Sequence, residues 1–220
     1  MSQSGRARKK RAPRQKRRSG ETRAKLLGAA RSVFSERGLE APSIDDITER
    51  ADTGKGTFYY HFDSKDELIH SVMEDVIGGL VAAMSVKCEG VADLPEILDR
   101  IIGAHIEFFS ERWQDFVLYF HARADLALED SYPGLEPAFM GYLACIEDLI
   151  ANALGRPATD VVLRRIACAV AGLVSGYYSF AAIASEEDDI DAAFRGLRGA
   201  MVASLTRFVA EASPPTGVGV

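Results

Sequence analysis

Ser43–Phe62 reads SIDDITERADTGKGTFYYHF, and its spacing predicts two short helices joined by a tight turn. Ser43 with Asp46 three residues on is the pattern of a capping box, in which hydroxyl and carboxylate each satisfy a free amide at a helix start. Asp45 and Asp46 also suit the positive end of that helix. Ile44, Ile47 and Ala51 recur at three- and four-residue spacing, a narrow apolar stripe that ends before Asp52, Thr53 and Gly54. A second helix is expected over Lys55–His61, with Phe58 and Phe62 on its buried side and Lys55, Gly56, Thr57, Tyr59 and Tyr60 turned outward. Folding alone gives no reason for such a face. A glycine weakens a helix by about 1 kcal/mol relative to alanine, so Gly56 implies that something comes close to the backbone. A phosphate backbone fits that description.

This stretch resembles the helix-turn-helix of the TetR family of bacterial repressors, whose recognition helix approximates K-G-T-x-Y-x-H-F followed by a lysine and a leucine. Here these are Lys55–Phe62, Lys65 and Leu68. Two positions depart: Asp52 stands where glycine is most frequent, and Gly54 where a small hydroxylated residue is usual. At the level of motifs the resemblance covers residues 21–68, and beyond them only helical layout and length are similar. It implies an all-α chain with a three-helix DNA-binding domain over residues 21–66 and a helical ligand-binding and dimerisation domain over 67–212. It also implies a homodimer on an inverted repeat in double-stranded DNA, a small-molecule effector, and no cofactor. Lys55 is expected to reach a base, with Gly56 and Thr57 allowing close approach. Ser43, Thr57, Tyr59, Tyr60, His61 and Lys65 are expected to hold the sugar-phosphate backbone, which fixes register without reading sequence.

Charge is divided unevenly along the chain. The net charge of -6 argues against nucleic acid only if it is evenly spread, yet residues 1–69 carry 16 Lys and Arg against 10 Asp and Glu, and residues 70–220 carry 10 against 22. The two ends are therefore suited to different partners. Residues 1–18 hold nine basic residues and no acid, a composition that cannot bury apolar area, so a disordered basic arm is expected over 1–20 and a second disordered tail over 213–220. The arm either solubilises the chain or lies along DNA, as the arms of some helix-turn-helix proteins do. Cys88, Cys145 and Cys168 show no paired or metal-like spacing, and the charged N-terminus is not followed by the apolar run of a secretory signal. A reducing cytoplasm is the expected location.

In chain order, Glu21–Arg37 reads as an amphipathic helix bracing the pair, with Leu26, Leu27, Ala30, Val33 and Phe34 buried and Gly38 as a stop. Thr22, Arg23 and Lys25 either touch phosphate or form an ordinary exposed turn. Asp63 or Ser64 caps a connecting helix from Lys65 to about Met84, followed by a loop around Gly90. Further helices are expected from Asp93, over 112–128, over 136–154 up to Gly155, from Thr159 or Asp160, and over 189–210, with a break at Ser131, Tyr132, Pro133 and Gly134. Most of the aromatic residues among them serve a core. The resemblance implies that some line an apolar effector cavity, the candidates being His105, Phe109, Trp113 and Phe116 with Phe120, Phe139 and Tyr142.

Residues 166–185 carry no charge and are long enough to span a bilayer, but they are rich in Ala, Gly, Ser and Val and flanked by Arg164, Arg165 and Glu186. A soluble helix with no membrane partner is expected. Its small residues Gly172, Ser175, Gly176 and Ser179, with Leu197, Met201 and Leu205 of the last helix, suit either a self-complementary dimer patch or burial within one subunit. No GxSxG, P-loop, Rossmann glycines, HExxH or CxxC is present, and His105 and His121 lack a cluster of ligands, so neither an enzyme nor a metal site is expected. An architectural DNA-binding protein without a ligand is the rival that the basic arm and helix pair also allow.

Overall fold

The computed structural model describes residues 11–126, 134–157, 161–184 and 190–212, with side chains in these ranges except at 11–16, 181–184 and 190–195. Their regular structure is helical throughout: α1 (Arg11–Arg37), α2 (Ile44–Arg50), α3 (Lys55–His61), α4 (Lys65–Cys88), α5 (Leu94–Glu111), α6 (Trp113–Asp125), α7 (Glu136–Leu154), α8 (Val161–Ala184) and α9 (Ile190–Ala212). The all-α expectation is met. Two compact units share these helices, with boundaries at Asp75/Val76, Trp113/Gln114 and Gly134/Leu135. The first holds α1 to α3, the start of α4 and nearly all of α6. The boundary expected after residue 66 therefore lies nine residues later, inside α4.

In the first unit, Leu26, Ala30, Val33 and Phe34 of α1 are buried together with Ile47 of α2, Phe58 of α3, Phe62, and Leu68, Ile69 and Val72 of α4. The expected helix starts follow from local chemistry. Ser43 Oγ accepts from the Asp46 amide at 3.2 Å while Asp46 Oδ2 accepts from the Ser43 amide at 2.7 Å, completing the capping box. Ser64 Oγ accepts from the Glu67 amide at 3.1 Å, so Ser64 is the residue that caps α4. Around these caps, Arg50 bridges α2 to α1 by pairing both guanidinium nitrogens with the Glu36 carboxylate at 2.9 Å. The Arg50 hydrogen bonds hold the Glu36 carboxyl down at about 2.

α1 begins at Arg11, ten residues before the expected start at Glu21. The basic stretch from Arg11 is built of good helix formers, Pro13 lies in the first turn where a proline is tolerated, and Arg17 pairs with Glu21 one turn on at 3.4 Å. The basic arm is thus helical from Arg11 onward, and residues 1–10 lie outside the described residues. α6 joins the first unit through a charge pair: Asp115, whose side chain is 2% exposed, lies 3.1 Å from Arg31 Nε. The same guanidinium reaches Asp75 of α4 at 2.5 Å, so one arginine ties α1, α4 and α6 together.

In the second unit α5 packs on α7 and α9, and α8 on α7 and α9. Asp93 Oδ2 accepts from the Glu96 amide at 3.1 Å and Pro95 lies in the first turn of α5, as expected. α4 continues to Cys88, beyond the expected end, and the turn after it holds Gly90 at φ 72. α7 ends where Gly155 takes the left-handed φ of 60, and the Arg156 amide donates back to Ala151 O at 3.0 Å. Arg198 of α9 spans both Asp99 carboxylate oxygens at 2.6 Å. A Cβ on Gly103 would stand 2.6 Å from that guanidinium, so a larger residue there would require the Arg198 side chain to shift.

Lys65–Cys88 and 161–180 are long and apolar enough to cross a membrane by length and composition, with mean hydropathies of 1.4 and 1.3. Each also supplies core, α4 through Leu68, Val72, Val76 and Leu80, and α8 through Leu163, Ile166, Val170 and Val174. The expected break at Ser131, Tyr132 and Pro133, the caps at Thr159 and Asp160, and Glu186 lie outside the described residues.

Phe58 is fully buried whereas Tyr60 on the same helix is 72% exposed. Phe58→Ala is expected to cost about 3–5 kcal/mol, and Tyr60→Ala to stay within about 0.5 kcal/mol. Urea unfolding followed by circular dichroism measures both, and equal shifts would refute this division of the helix.

Candidate nucleic-acid interface

The turn between α2 and α3 is held by backbone bonds from the Asp52 amide to Glu49 O at 3.0 Å and from the Thr53 amide to Thr48 O at 2.9 Å. Asp52 itself adopts φ 50, the left-handed region that glycine enters freely and aspartate tolerates better than most residues. This is the position at which the motif usually has glycine, so the departure leaves the turn intact. Gly54 then caps α3 with extended backbone, without a side-chain bond.

Phe58 stacks at 5.8 Å on Phe62, and the Arg23 guanidinium covers the Phe62 ring from 4.9 Å. With that side anchored, Tyr59 and Tyr60 stand 55% and 72% exposed. Tyr59 meets Phe58 edge-on at 5.3 Å and Tyr60 meets His61 edge-on at 4.9 Å, which limits their motion without covering them. Lys55 and Gly56 are exposed and Thr57 is half-buried. A Cβ at Gly56 would meet no atom within 4 Å, so the protein's own packing does not require a glycine there.

Other expected contacts carry duties in the fold. Ser43 caps α2, and its hydroxyl donates to Asp46 at 2.5 Å. Lys65 Nζ donates to Glu40 O at 2.5 Å, tying the start of α4 to the segment between α1 and α2, and burial lowers its pKa. Arg23 reaches Ser71 Oγ at 3.1 Å as well as Phe62. Lys55 Nζ lies 2.9 Å from Asp45 Oδ1, a partner that the motif does not advertise, and this bond raises the lysine pKa.

Beside α3 is an open groove of about 450 Å³ lined by Arg18, Glu21, Thr22 and Lys25 of α1, by Asp52 and Thr53 of the turn, and by Thr57 of α3. Thr53 Oγ1 is buried there with no hydrogen-bond partner among the described residues. Sequence reasoning missed this groove because it depends on α1 continuing as a helix past Glu21.

Among the described residues no cluster of three or more His, Cys, Asp or Glu could hold a metal ion. The aromatic candidates divide between the units. Phe116 and Phe120 belong to the first, 4.8 Å apart. His105, Phe109, Phe139 and Tyr142 are buried in the second, and Trp113, its boundary residue, is exposed. His105 is held at both nitrogens: Nδ1–H donates to Ile101 O at 2.7 Å, and Nε2, also at 2.7 Å, accepts from the Tyr142 hydroxyl. The carbonyl can only accept, which fixes the tautomer. Of the small-residue set, Ser175 is buried and donates to Ala171 O at 2.6 Å, and Met201 and Leu205 are buried too. Gly172 and Leu197 are exposed and Gly176 and Ser179 partly so, accompanied by exposed Leu173, Phe180 and Phe208.

Residues 26–72, which contain the capping box, the turn and α3, match the model for bacterial regulatory proteins of the TetR family. The chain belongs to the TetR family. A transcriptional regulator of helix-turn-helix type from Bacillus subtilis, YvdT, is 32% identical over 130 residues, 59% of this chain and 66% of that protein. The transcriptional activator FasR of Mycolicibacterium smegmatis is 33% identical over 100 residues, 46% of each chain. This chain thus spans about two thirds and about half of these two relatives. The crystal structure of FadR from Bacillus subtilis in complex with stearoyl-CoA shares the fold, with a TM-score of 0.66 at 18% identity over 83% of this chain and 96% of that one. For a TetR-family chain, the outward side of α3 is where the shared motif and the exposed tyrosines coincide.

Burial pushes the His105 imidazole down to about 4, so it stays neutral in the fold while the unfolded chain takes up a proton below about 6.5. The unfolded state then binds more protons, and stability falls with pH from about 6.5, reaching a loss on the order of 3 kcal/mol near pH 4. Unfolding free energies between pH 6.5 and 4.5, above the usual carboxylate range, are expected to slope downward in the native protein. The paired variant His105→Leu with Tyr142→Phe should lose that slope; an unchanged slope would contradict the assignment.

Proposed function

We propose that this chain is a sequence-specific DNA-binding transcriptional regulator, acting as a homodimer on an inverted repeat and released from it by a small apolar or aromatic effector. The observation that carries the reading is the two-sided α3, with Phe58 sealed inside and Lys55, Gly56, Tyr59 and Tyr60 left to solvent. Lys55 contacts a base, and Thr57, Tyr59, Tyr60 and His61 hold the backbone of the duplex. Lys25, Arg18 and Thr22 extend that backbone contact along the groove. Lys65 acts indirectly, through its bond to Glu40, by fixing where α4 starts.

Two copies meet through the side of α8 and α9 that carries Gly172, Leu173, Gly176, Ser179, Phe180, Leu197 and Phe208. Phe180, 73% exposed, is the largest uncovered group on it. A two-fold pairing of this kind sets two recognition helices about 34–36 Å apart, one turn of duplex. The effector enters the second unit among α5, α7 and α8, where the His105–Tyr142 pair offers polar groups in an apolar interior. The ligand named in the FadR structure, stearoyl-CoA, supports a long apolar effector as the first class to test. Release requires an effector that prefers one spacing of the recognition helices over another, since equal affinity for both shifts nothing. α4, continuous through both units, is the covalent path for that preference. Repression follows if the bound site overlaps a promoter. The name of the FasR relative makes activation the other outcome of the same experiment.

Selection of bound duplexes from a random pool is expected to recover an inverted repeat with half-sites one helical turn apart. Recovery of unrelated sequences, with equal affinity for all duplexes, would favour an architectural role and overturn the reading. On the recovered site Lys55→Ala is expected to lose affinity and discrimination together, about 1–3 kcal/mol at the contacted pair. Lys65→Ala should weaken recovered and scrambled duplexes alike. Competition titrations check both, and an equal loss on the two duplexes for Lys55→Ala would remove Lys55 from the base-reading role.

A further inference from the structure

The Lys55–Asp45 pair joins the start of α3 to the first turn of α2, on the side of the helix pair that the proposed function turns toward DNA. Both side chains are largely exposed, and Nζ to Oδ1 is 2.9 Å. Asp46, the neighbouring carboxylate, is consumed by the Ser43 cap and by Arg37 at 2.7 Å. Asp45 serves neither purpose. Asp45 does suit the positive end of α2, but an exposed carboxylate in this place would also repel a phosphate backbone.

We propose that Asp45 is a specificity-determining residue, holding the Lys55 ammonium so that it reads guanine and does not settle on phosphate. The inference rests on the DNA-binding reading above and names what that site recognises. A lysine ammonium has three N–H donors. Asp45 takes one and leaves two, the number that the O6 and N7 acceptors of one guanine can receive in the major groove. Guanine carries no net charge, so Asp45 opposes it far less than it opposes a phosphate. A phosphate oxygen brought to the same ammonium carries a negative charge, which the carboxylate opposes. The pair therefore lowers the attraction of Lys55 for any backbone more than its attraction for guanine. An exposed ion pair is weak enough to yield or to reorient when a base offers both acceptors.

The test compares the full-length protein with Asp45→Asn and Asp45→Glu, by selection from a random pool and by fluorescence anisotropy on selected and scrambled duplexes across a salt series. Wild type is expected to require guanine at one position in each half-site. Asp45→Asn should bind the scrambled duplex more tightly, with a log–log salt slope steeper by about 0.9 for each phosphate newly neutralised, which is about 8-fold in affinity at 0.1 M salt. The same variant should lose its guanine requirement, and Asp45→Glu should keep both properties near wild type. An Asp45→Asn protein with unchanged salt slope, scrambled affinity and guanine preference overturns the inference while leaving DNA binding in place. A wild-type protein that binds no duplex overturns the DNA-binding reading itself, and the two failures are told apart by that control. A purely structural role for Asp45 would lower the melting temperature of the Asn variant without steepening the salt slope, and this too would overturn the inference.

Discussion

The burial of Phe58 and Phe62 under a seven-residue helix is the constraint on which the rest depends. A helix that short has no stability of its own in water, where about 12–15 residues are needed even for favourable sequences. α3 exists because two aromatic rings hold it to a core supplied by α1, α2 and the start of α4. Once that side is fixed, helical geometry leaves Lys55, Gly56, Tyr59 and Tyr60 no place but the solvent. The proposed function uses the side that folding leaves over, where a lysine, a glycine and two tyrosines stand exposed.

The surrounding charges keep that face in place. Arg50 with Glu36 and Arg37 with Asp46 fasten α2 to α1, Lys65 fastens α4 to the segment between them, and Arg31 draws α6 into the same unit through a buried carboxylate. Exposed pairs of this kind contribute little one at a time. The Arg31–Asp115 contact differs, because its carboxylate is buried, where a lost charge partner costs more than at the surface. Arg31 thereby holds in the DNA-binding unit a helix that is entered, along the chain, from the second unit.

The parts legible in the sequence are those whose causes lie within a few residues. The capping box at Ser43, the Phe58 and Phe62 anchors, the Asp93 cap with Pro95 and the glycine stop at Gly155 are local chemistry, and the spacing of residues displays it. What sequence did not display depends on pairing across long separations. Arg31 and Asp115 are 84 positions apart in the chain, so nothing in the pattern around Asp115 assigns α6 to the first unit, and Phe116 and Phe120 go with it. Lys65 reads as a phosphate ligand from its charge and its place beside the motif; its bond to Glu40 depends on how the α1–α2 segment folds back. Ser175, Met201 and Leu205 are small or apolar in the right period for an interface, but the same period serves a core, and within the second unit the core takes them.

The most direct measurement is hydroxyl-radical footprinting of the protein, read residue by residue with mass spectrometry, with and without the selected duplex. The account predicts strong protection of Tyr59 and Tyr60, which are exposed in the free protein, and no change at Tyr142, which is already buried. Equal modification of Tyr59 and Tyr60 in the free and bound states would contradict it.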